Sequence, residues 1–500
     1  MKVGSHLDIK QQYIDGEWSF SQSGATREII NPFNQTIIAK VTESNEEDAH
    51  LAISAARKAF DTTTWPTIST EERAQIVHEI ANLIERDKEE LAMLETLDTG
   101  KTLEESRWDM DGIADVFRYY ANIAKDEVER VEVPMENVDS TVIYEPVGVC
   151  GQITPWNYPL LQASWKLAPA LVAGNTLVMK PSEITPLTTI KVFELMEEAG
   201  VPKGVANLVL GPGHTVGTVL SESEDVDLIS FTGGLETGKK VMQAATSNVK
   251  KVALELGGKN PNIIFADAKL EEAVDVALNG VFFHAGQVCS AGTRIVIEES
   301  LHDVFVEKLV ERVKNIRLGN GLDDMTEMGP LISATHLKKV VDYVEKGKDE
   351  GATLLVGGAQ PEEAALSEGF FYLPTVFTNC TTEMYVVQEE GFGPVITIET
   401  FTTEEEAIKL ANDSRYGLAG GVWTEDMDKA NRVVRALRMG TVWINDFNIY
   451  FPEAPWGGYK QSGFGRELGK LGLAEYREPK HVFLNKAPAS MNWFGASKKD

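Results

Sequence analysis

The sequence predicts an α/β fold in which helices cover parallel β-sheets. From residue 147 onward, short apolar runs alternate with segments of helical period, which is the pattern of βα units. Glycine-rich turns follow several of these runs, as at Gly233-Gly234, where sheets of this kind bind their ligands. Residues 127–146 instead form short alternating pieces, typical of a β flap outside the main body.

The elements of the N-terminal half can be predicted in order. Two helices come first, at 46–60 and 69–98, and the second opens with the capping box Ser69-x-x-Glu72. The β flap follows, with residues 141–144 as its clearest strand. The predicted strands are then 147–153, 175–180, 206–210 and 228–231, and the predicted helices are 159–173, 188–198 and one that begins at Glu236.

A second βα series begins near Pro261. A glycine-rich loop at 456–465 and a last strand at 481–484 close the chain. In this series the predicted strands are 262–265, 293–298 and 440–444, and the predicted helices are 270–283, 301–316, 404–412 and 429–437.

Composition excludes several classes of partner. The 500 residues include 76 acidic and 47 basic side chains, for a net charge of -29, which disfavours nucleic-acid binding. No run reaches the ~18 apolar residues of a membrane span, so we expect no membrane partner. The three cysteines, Cys150, Cys289 and Cys380, predict free thiols and a cytoplasmic location.

One of these cysteines, Cys289, lies among small residues in the segment Phe283-His-Ala-Gly-Gln-Val-Cys289-Ser290. Little bulk covers a sulfur in such a setting, so the thiol could attack a substrate and form a covalent intermediate. The alternative is a buried structural cysteine, because free cysteines are among the most buried residues. The rest of the chain has to decide between the two.

Two polar residues in apolar surroundings could serve such a nucleophile. Glu255 lies in the apolar segment 252–258, where burial would raise the pKa of its carboxyl and make it a better general base near neutrality. Its alternative role is an inward acid paired with a lysine or arginine. Asn157 follows a predicted strand, where its amide could donate to an oxyanion or simply form a turn.

Predicted strand ends also carry candidates for cofactor binding. Lys180 and Glu183 could hydrogen-bond ribose hydroxyls, and the acid would repel a 2′-phosphate, which favours NAD over NADP. The alternative, which is preferred for this segment taken alone, is a solvated surface loop. The turns at 211–217 and at Gly233-Gly234 let backbone amides approach a pyrophosphate, or are ordinary βα turns. Neither turn has the G-x-G-x-x-G spacing, so each alone is a weak signal.

These segments together resemble the aldehyde dehydrogenase superfamily over roughly residues 13–483. The resemblance implies a Rossmann-like cofactor domain (1–126 and 147–259), a second α/β catalytic domain (260–465) and a small β oligomerisation region (127–146 and 466–500). The motifs occur in the family's order and spacing: Thr154-Pro-Trp-Asn157, Lys180-Pro-Ser-Glu183, Phe231-Thr-Gly-Gly234, Leu254-Glu-Leu-Gly-Gly258, Gly286-Gln-Val-Cys289, Glu390-Gly-Phe392-Gly-Pro394 and Ser462-Gly-Phe-Gly-Arg466.

The resemblance implies a role for each catalytic candidate. Cys289 would attack the aldehyde, and the Asn157 side chain with the Cys289 N–H would hold the oxyanion. Glu255 would activate the water that hydrolyses the thioester. Lys166 and Glu467 match positions described in related enzymes as a proton or charge relay.

An NAD site is implied by the same resemblance. Gly234 departs from the small hydroxyl residue usual at its position, so one hydrogen bond to the pyrophosphate is expected to be missing. The implied cofactor residues are Ile153, Thr154, Trp156, Lys180, Ser182, Glu183, Gly213, Gly217, Phe231, Thr232, Gly233, Gly234, Leu256, Glu390 and Phe392.

Five aromatic residues are predicted to bind the substrate: Tyr158, Trp165, Phe283, Tyr450 and Trp456. Aromatic rings attract a quaternary ammonium by about 0.5–2 kcal/mol each, although core packing is their alternative role. The set resembles that of family members that oxidise betaine aldehyde, which implies NAD-dependent formation of glycine betaine, an osmoprotectant. The alternatives are an ω-aminoaldehyde or broad aliphatic aldehyde dehydrogenase, an esterase, and an NAD-binding structural protein without catalysis.

The resemblance implies two further properties. Some members that oxidise betaine aldehyde hold a potassium ion through backbone carbonyls and an acid, and Ile30, Asp98 and Val249 are the matching positions. The family's oligomers pair the β flap of one subunit with the sheet of another. We therefore expect a homo-oligomer, either a dimer or a tetramer.

Overall fold

The computed structural model describes residues 9–126, 130–491 and 493–494, and these contain two large β-sheets. The first has eight described strands, of which the five in the middle are parallel and the outer pairings are antiparallel. Its strands lie in the order Gly463–Phe464, Lys251–Leu256, Leu228–Gly233, Val149–Ile153, Thr176–Lys180, Ala206–Leu208, Gln12–Ile14 and Glu17–Ser19.

The second large sheet has seven described strands and is parallel except for its first pair. Because both large sheets are mainly parallel and are packed with helices, the predicted α/β fold is confirmed. The strands of the second sheet lie in the order Thr353–Val356, Thr375–Thr378, Val395–Phe401, Arg294–Glu298, Pro261–Ile264, Ala419–Trp423 and Thr441–Ile444.

Two small sheets lie outside these. The strands Arg477–Asn485, Val138–Pro146 and Arg130–Met135 form an antiparallel flap, as predicted for residues 130–146 and 481–484. The strands Ile9–Lys10, Ile37–Thr42 and Thr26–Ile30 form the other small sheet. The remaining parts of the predicted oligomerisation and cofactor regions, 127–129, 492, 495–500 and 1–8, lie outside the described residues.

Most predicted helices are confirmed to within a few residues. No helix in the described part of the chain is long and apolar enough to cross a membrane. The described α-helices are Glu46–Thr62, Thr70–Arg86, Lys88–Thr99, Leu103–Asp126, Pro159–Ala173, Leu187–Glu198, Thr218–Glu222, Leu235–Ala244, Leu270–Phe282, His302–Val313, Ala334–Asp349, Tyr385–Gln388, Glu404–Asn412, Met427–Ala436 and Gly469–Glu475.

The structure differs from the sequence prediction at a few elements. The predicted helix 69–98 is interrupted at Asp87, whose backbone leaves the helical region and caps the helices on either side. The strand Gly463–Phe464, which falls in the predicted catalytic segment, pairs instead with Lys251–Leu256 of the first sheet. The limits of the predicted domains remain a prediction.

The two large sheets approach each other end to end, and this arrangement positions the site. Segments that follow the parallel strands of the first sheet, among them 154–157 and Gly257, reach the same cavity as Cys289 and Phe392. Cys289 and Phe392 precede the strands Arg294–Glu298 and Val395–Phe401 of the second sheet. The carboxyl ends of the strands in the first sheet therefore face the amino ends of the strands in the second.

Candidate active site

A cavity of about 200 Å³ lies between the facing edges of the two sheets. It brings together three residues that the sequence had singled out from distant segments, Asn157, Glu255 and Cys289. Its remaining lining residues are Pro155, Trp156, Gln162, Thr232, Gly233, Gly234, Leu256, Gly257, His336, Lys339, Glu390 and Phe392.

The thiol of Cys289 is held as a neutral group in this cavity. Burial raises the pKa of the thiol to about 12, with the carboxylates of Glu390 and Glu255 adding to the effect, while the N–H groups of Ser290 and Cys289 lower it. The carbonyl of Cys289 accepts a hydrogen bond of 2.9 Å from Asn260 Nδ2, which fixes the backbone of the residue. Proton removal must therefore accompany any attack by the sulfur.

Asn157 is anchored to the segment that carries the cysteine. Its Nδ2 donates a hydrogen bond of 2.8 Å to the carbonyl of Gln287, two residues before Cys289. An amide nitrogen carries two N–H bonds, so a second donor is left for the cavity. This is the arrangement that an oxyanion donor requires.

Glu255 is a buried carboxyl without a hydrogen-bond partner on either oxygen among the described residues. Burial and the nearby carboxylate of Glu467 raise its pKa well above the ordinary value, and Lys166 and Arg466 oppose this only in part. The alternative of an inward acid in a direct ion pair does not describe its contacts. A carboxyl kept neutral in this way can exchange a proton near neutrality.

Lys166 and Glu467 form a buried ion pair behind Glu255. Lys166 Nζ also donates to Thr232 Oγ1 at 2.7 Å, and Thr232 lines the cavity. Glu467 exchanges backbone hydrogen bonds of 2.7 and 2.8 Å with Trp456. The predicted relay residues are thus placed between the cavity and the aromatic side chains.

The first group of predicted cofactor residues lies beyond the carboxyl ends of the strands Val149–Ile153 and Thr176–Lys180. Lys180 Nζ contacts Glu183 Oε2 at 3.2 Å and donates to the carbonyl of Pro181 at 2.9 Å. Burial lowers the pKa of Lys180. Burial alone would raise the pKa of Glu183, but the nearby charge of Lys180 outweighs it, so the pKa of this carboxyl is lowered. Ser182 is buried beside this pair.

Glycines and small side chains leave open space beside these residues. A Cβ built on Gly213 or Gly234 would meet no atom within 4 Å, and one on Gly217 would lie 3.6 Å from Ile153 Cδ1. Gly234 begins the helix Leu235–Ala244 without a side-chain cap, so backbone amides there are available to an anion. Of the other predicted cofactor residues, Thr154 and Phe231 are buried near these turns, and Thr232, Gly233 and Leu256 line the cavity.

The second group of cofactor residues forms the opposite wall. Glu390 accepts a hydrogen bond of 3.0 Å from the Gly258 N–H, and burial raises its pKa to about 7. The rings of Trp156 and Phe392 meet edge to face at 5.3 Å. His336 packs against both rings and its Nε2 lies 2.7 Å from the Phe392 carbonyl.

Four of the five predicted substrate residues belong to, or pack against, one large hydrophobic core cluster, as Cys289 does, and none of the five lines the cavity of Asn157, Glu255 and Cys289. Within this cluster the ring centroid of Trp165 lies 5.4 Å from that of Tyr450 and 5.9 Å from that of Trp456. Tyr158 joins the same cluster, and the Lys101 ammonium lies 4.0 Å above its ring.

Phe283 is not brought into that cluster. Its ring lies 5.7 Å from Trp108, a side chain that is 54% exposed, and both line a separate cavity. The cause is the backbone, which leaves the helix Leu270–Phe282 and turns sharply before Cys289.

Two of the three positions predicted for potassium, Asp98 and Val249, lie at opposite ends of the strands of the first sheet. Asp98 is fully buried and accepts a hydrogen bond of 3.0 Å from the Leu187 N–H, beyond the carboxyl ends of the strands. Val249 is 90% exposed and precedes the strand Lys251–Leu256, at the amino edge of the same sheet. Ile30, 44% exposed, ends an outer strand. The described residues contain no cluster of three or more His, Cys, Asp or Glu side chains that could hold a metal ion.

Sequence reasoning missed several residues that line the cavity. His336 and Lys339 belong to the helix Ala334–Asp349, which had not been predicted, and Gln162 had been assigned only to a helix. Ser333 caps that helix through a hydrogen bond to the His336 N–H, so a serine before an apolar period was the available signal.

The fold and the cavity define a class of protein, in which two mainly parallel sheets covered by helices face each other across a cysteine in a cavity. The family model described as "Aldehyde dehydrogenase family" matches residues 18–482, and the chain therefore belongs to the aldehyde dehydrogenase family.

Individual relatives have names that are consistent with this assignment. The chain is 66% identical to the betaine aldehyde dehydrogenase of Bacillus subtilis, covering 97% of this chain and 99% of that one. It is 42% identical to aminoaldehyde dehydrogenase 2 of Pisum sativum, covering 98% of each. A crystal structure of the Staphylococcus aureus betaine aldehyde dehydrogenase in complex with NAD+ has a TM-score of 0.96 and 59% identity, covering 98% of this chain and 97% of that one.

Proposed function

We propose that this protein oxidises betaine aldehyde to glycine betaine with NAD as hydride acceptor. The observation that carries the proposal is the convergence of Cys289, Asn157, Glu255 and Glu390 on one cavity of about 200 Å³. The similarity to betaine aldehyde dehydrogenases of Bacillus subtilis and Staphylococcus aureus supports the choice of substrate. The conversion of an aldehyde to an acid at a thiol requires a nucleophile, an oxyanion donor and a base, and the cavity contains all three.

The residues present fit NAD. A Cβ on Gly213 or Gly234 would meet no atom within 4 Å, so the backbone there is open to a diphosphate, and a ribose would hydrogen-bond to the Lys180–Glu183 pair. Glu390 lines the cavity and would bind the second ribose. Glu183 would repel a 2′-phosphate, which supports NAD over NADP. When bound, NAD supplies the hydride acceptor.

Cys289 and Asn157 carry the covalent step of the proposed mechanism. The sulfur adds to the aldehyde carbon while its proton passes to solvent water, and the carbonyl oxygen becomes an alkoxide. The free N–H of the Asn157 amide and the N–H of Cys289 bind that alkoxide more tightly than the planar carbonyl, which lowers the barrier. Loss of hydride from this adduct leaves a thioester on Cys289.

Glu255 carries the second step. As a carboxylate it takes a proton from water, and the resulting hydroxide attacks the thioester and releases the acid and the free thiol. The buried ion pair of Lys166 and Glu467 lies next to Glu255, and each proton that Glu255 binds can leave through this pair. Glu467 also holds Trp456 through two backbone hydrogen bonds, and Lys166 holds the Thr232 hydroxyl.

The aromatic cluster supports a cationic substrate. The rings of Tyr450 and Trp456 both pack against the ring of Trp165, at centroid distances of 5.4 and 5.9 Å, and aromatic rings of this kind attract a trimethylammonium group. The 42% identity to a pea aminoaldehyde dehydrogenase makes an ω-aminoaldehyde the second candidate. A primary ammonium would use the same rings but also needs hydrogen-bond acceptors.

A panel of aldehydes tests the proposal. The purified protein is assayed by NADH absorbance with betaine aldehyde, 4-aminobutanal, hexanal and an ester, each with NAD and with NADP. We expect the highest kcat/KM for betaine aldehyde with NAD, and no turnover in Cys289→Ala. A higher kcat/KM for the aminoaldehyde would transfer the proposal to that substrate. Binding of NAD without turnover of any aldehyde would support the structural alternative, and turnover of the ester alone would support an esterase.

A homo-oligomer is part of the same proposal. The strand Arg477–Asn485 is an exposed edge of the flap sheet, and it presents Val482, Phe483 and Leu484 to solvent. An uncovered apolar edge of this kind is a site for another chain. Light scattering on the wild type and on Phe483→Glu distinguishes a dimer or tetramer from a monomer. A cytoplasmic location and the three predicted domains belong to the same proposal.

A cation site is retained in the proposal only at Asp98. Its Oδ1 has no hydrogen-bond partner among the described residues, and burial raises the pKa of the carboxyl well above its ordinary value. A potassium ion would compensate both. We expect a higher Tm in potassium chloride than in N-methylglucamine chloride, and an equal Tm would remove the site.

A further inference from the structure

The backbone before Cys289 adopts a conformation that side chains rarely allow. His284 has φ 46° and ψ 38°, Ala285 has φ 52° and ψ 34°, and Gly286 has φ 73°. The left-handed region disfavours residues with a Cβ, and two such residues in succession persist only where the surroundings impose them. Cys289 follows three residues later, so whatever imposes this turn also determines where the thiol lies.

Glu105 is the side chain that holds the turn from outside. Its Oε1 accepts a hydrogen bond of 2.7 Å from the His284 N–H. Its Oε2 accepts bonds of 2.7 and 2.8 Å from the N–H and Oγ1 of Thr102. The Thr102 hydroxyl accepts in return from the Glu105 N–H, which forms a capping box at the start of the helix Leu103–Asp126. The bonds to Thr102 therefore fix the position of the carboxylate, and the carboxylate in turn fixes the position of the His284 N–H.

The other end of the turn is held by Gln287. Its backbone N–H and its Nε2 both donate to the His284 carbonyl at 3.0 Å. Its Oε1 accepts from the Ile332 N–H at 2.9 Å, and its carbonyl accepts from Asn157. Glu105 thus accepts a hydrogen bond from the N–H of His284, and Gln287 donates to the carbonyl of the same residue. Of these two side chains, Gln287 belongs to the loop itself, whereas Glu105 belongs to a separate helix and can be replaced without changing the loop sequence.

We propose that Glu105 is a positioning residue for the nucleophile: by accepting the His284 N–H it keeps residues 284–286 in the left-handed conformation that aims Cys289 into the cavity. The inference rests on the proposed role of Cys289 as nucleophile. Glu105 is a buried member of the second cavity, the one lined by Trp108 and Phe283. Its part in the reaction is indirect, through the backbone.

The test combines Glu105→Gln with Ala285→Gly. The amide of Glu105→Gln has a single acceptor oxygen and cannot accept from both Thr102 and His284, so the side chain no longer holds both segments and the turn is held less firmly. We expect kcat to fall about tenfold with the KM for betaine aldehyde within about twofold, since a displacement of about 1 Å at a reacting group can cost up to a hundredfold. Alkylation of the thiol by iodoacetamide, measured without NAD or aldehyde, should slow as well, because the Cys289 and Ser290 N–H groups would no longer lower the pKa of the thiol.

Ala285→Gly provides the decisive comparison. Glycine adopts the left-handed region without strain, so one of the two strained positions is relieved and the turn depends less on the bond from Glu105 to His284. In this background Glu105→Gln should cost less than threefold in both kcat and alkylation rate. Glu104→Gln is the matched control on the same helix, because Glu104 is exposed and its contact is with Arg107 at 3.6 Å; it should leave both rates unchanged.

Three results would overturn the inference. They are an equal loss of kcat in the alanine and glycine backgrounds, an unchanged alkylation rate in Glu105→Gln, and a rise in aldehyde KM without a fall in kcat. The alkylation assay needs no aldehyde. If wild type oxidises no aldehyde while Glu105→Gln still slows alkylation and Ala285→Gly restores it, the proposed function fails and the positioning role stands.

Discussion

The side chain of Asn157 is joined to the carbonyl of Gln287 by a hydrogen bond of 2.8 Å. This bond connects the end of a strand in the first sheet to the loop that carries Cys289, across the boundary between the two sheets. It occupies one N–H of the amide and fixes the direction of the other. An oxyanion donor has to be aimed before the charge develops, and this contact aims it.

Replacement of Asn157 by alanine should therefore affect the chemical step. We expect Asn157→Ala to lower kcat by about 10²–10³, the usual cost of one oxyanion donor, with a small change in aldehyde KM. Steady-state NADH absorbance measures both. Gln162→Ala enlarges the same cavity without removing that donor and should cost much less. A similar loss of kcat in the two variants would show that cavity shape, and not the donor, is responsible.

Glu255→Gln should separate hydride transfer from hydrolysis. The amide keeps the shape of the side chain but cannot accept a proton from water, so thioester breakdown should slow by about 10²–10⁴. A stopped-flow burst of NADH, equal to one equivalent per active site, should survive ahead of the slow steady state. If the burst disappears together with the steady state, Glu255 also removes the proton of Cys289.

The sequence was most informative where function depends on short segments. The motifs around Asn157, Glu183, Glu255 and Cys289 each follow or precede a predicted strand, and the structure brings three of these residues into one cavity. Parallel strands place successive carboxyl ends side by side, which brings Asn157 close to Glu255; Cys289 joins them only because the second sheet packs against the first, which no local pattern predicts.

Other positions depended on contacts that no local pattern contains. Phe283 was grouped with Trp165, yet the left-handed turn at His284 directs its ring to Trp108. Val249 was matched to Asp98, although Val249 lies near the amino ends of the strands in the first sheet and Asp98 lies near their carboxyl ends. The sequence contains the capping box Thr102-x-x-Glu105, yet the helix Leu103–Asp126 was not predicted. The hydrogen bond from His284 to Glu105 was missed for the same reason.

Gly234→Ser should strengthen the binding of NAD. The backbone at Gly234 has φ -71° and ψ 147°, which serine adopts freely, and an added Cβ would meet no atom within 4 Å. A hydroxyl there can supply the hydrogen bond that the glycine lacks, for a gain of about 0.5–1.5 kcal/mol or about 2–10-fold in Kd. Fluorescence titration with NAD measures the change. Gly234→Ala, which adds the Cβ alone, should leave Kd unaltered, and equal gains in both variants would contradict the prediction.

The affinity for NAD should depend on pH through Glu390. Burial raises the pKa of this carboxyl to about 7, so it is largely neutral at pH 6 and largely ionised at pH 8. Only the ionised form accepts hydrogen bonds on both oxygens, and the Kd for NAD should fall as the pH rises through 7. Titrations at pH 6, 7 and 8 test this, and Glu390→Gln should flatten the profile. A fall in Kd that persists in the variant would assign the titration to another group.

The aromatic cluster should recognise charge and not only shape. Betaine aldehyde and 3,3-dimethylbutanal have nearly the same shape, but only the first carries a positive charge, so their ratio of kcat/KM isolates the cation–π contribution. Trp456→Leu keeps an apolar side chain next to Trp165 and removes one ring, which should lower that ratio by a factor of about 2–30 for a contribution of about 0.5–2 kcal/mol. Phe283→Leu, whose ring contacts Trp108 instead, should change the ratio less than twofold. Equal changes in the two variants, or a fall for both aldehydes alike in Trp456→Leu, would mean that the rings only fill space.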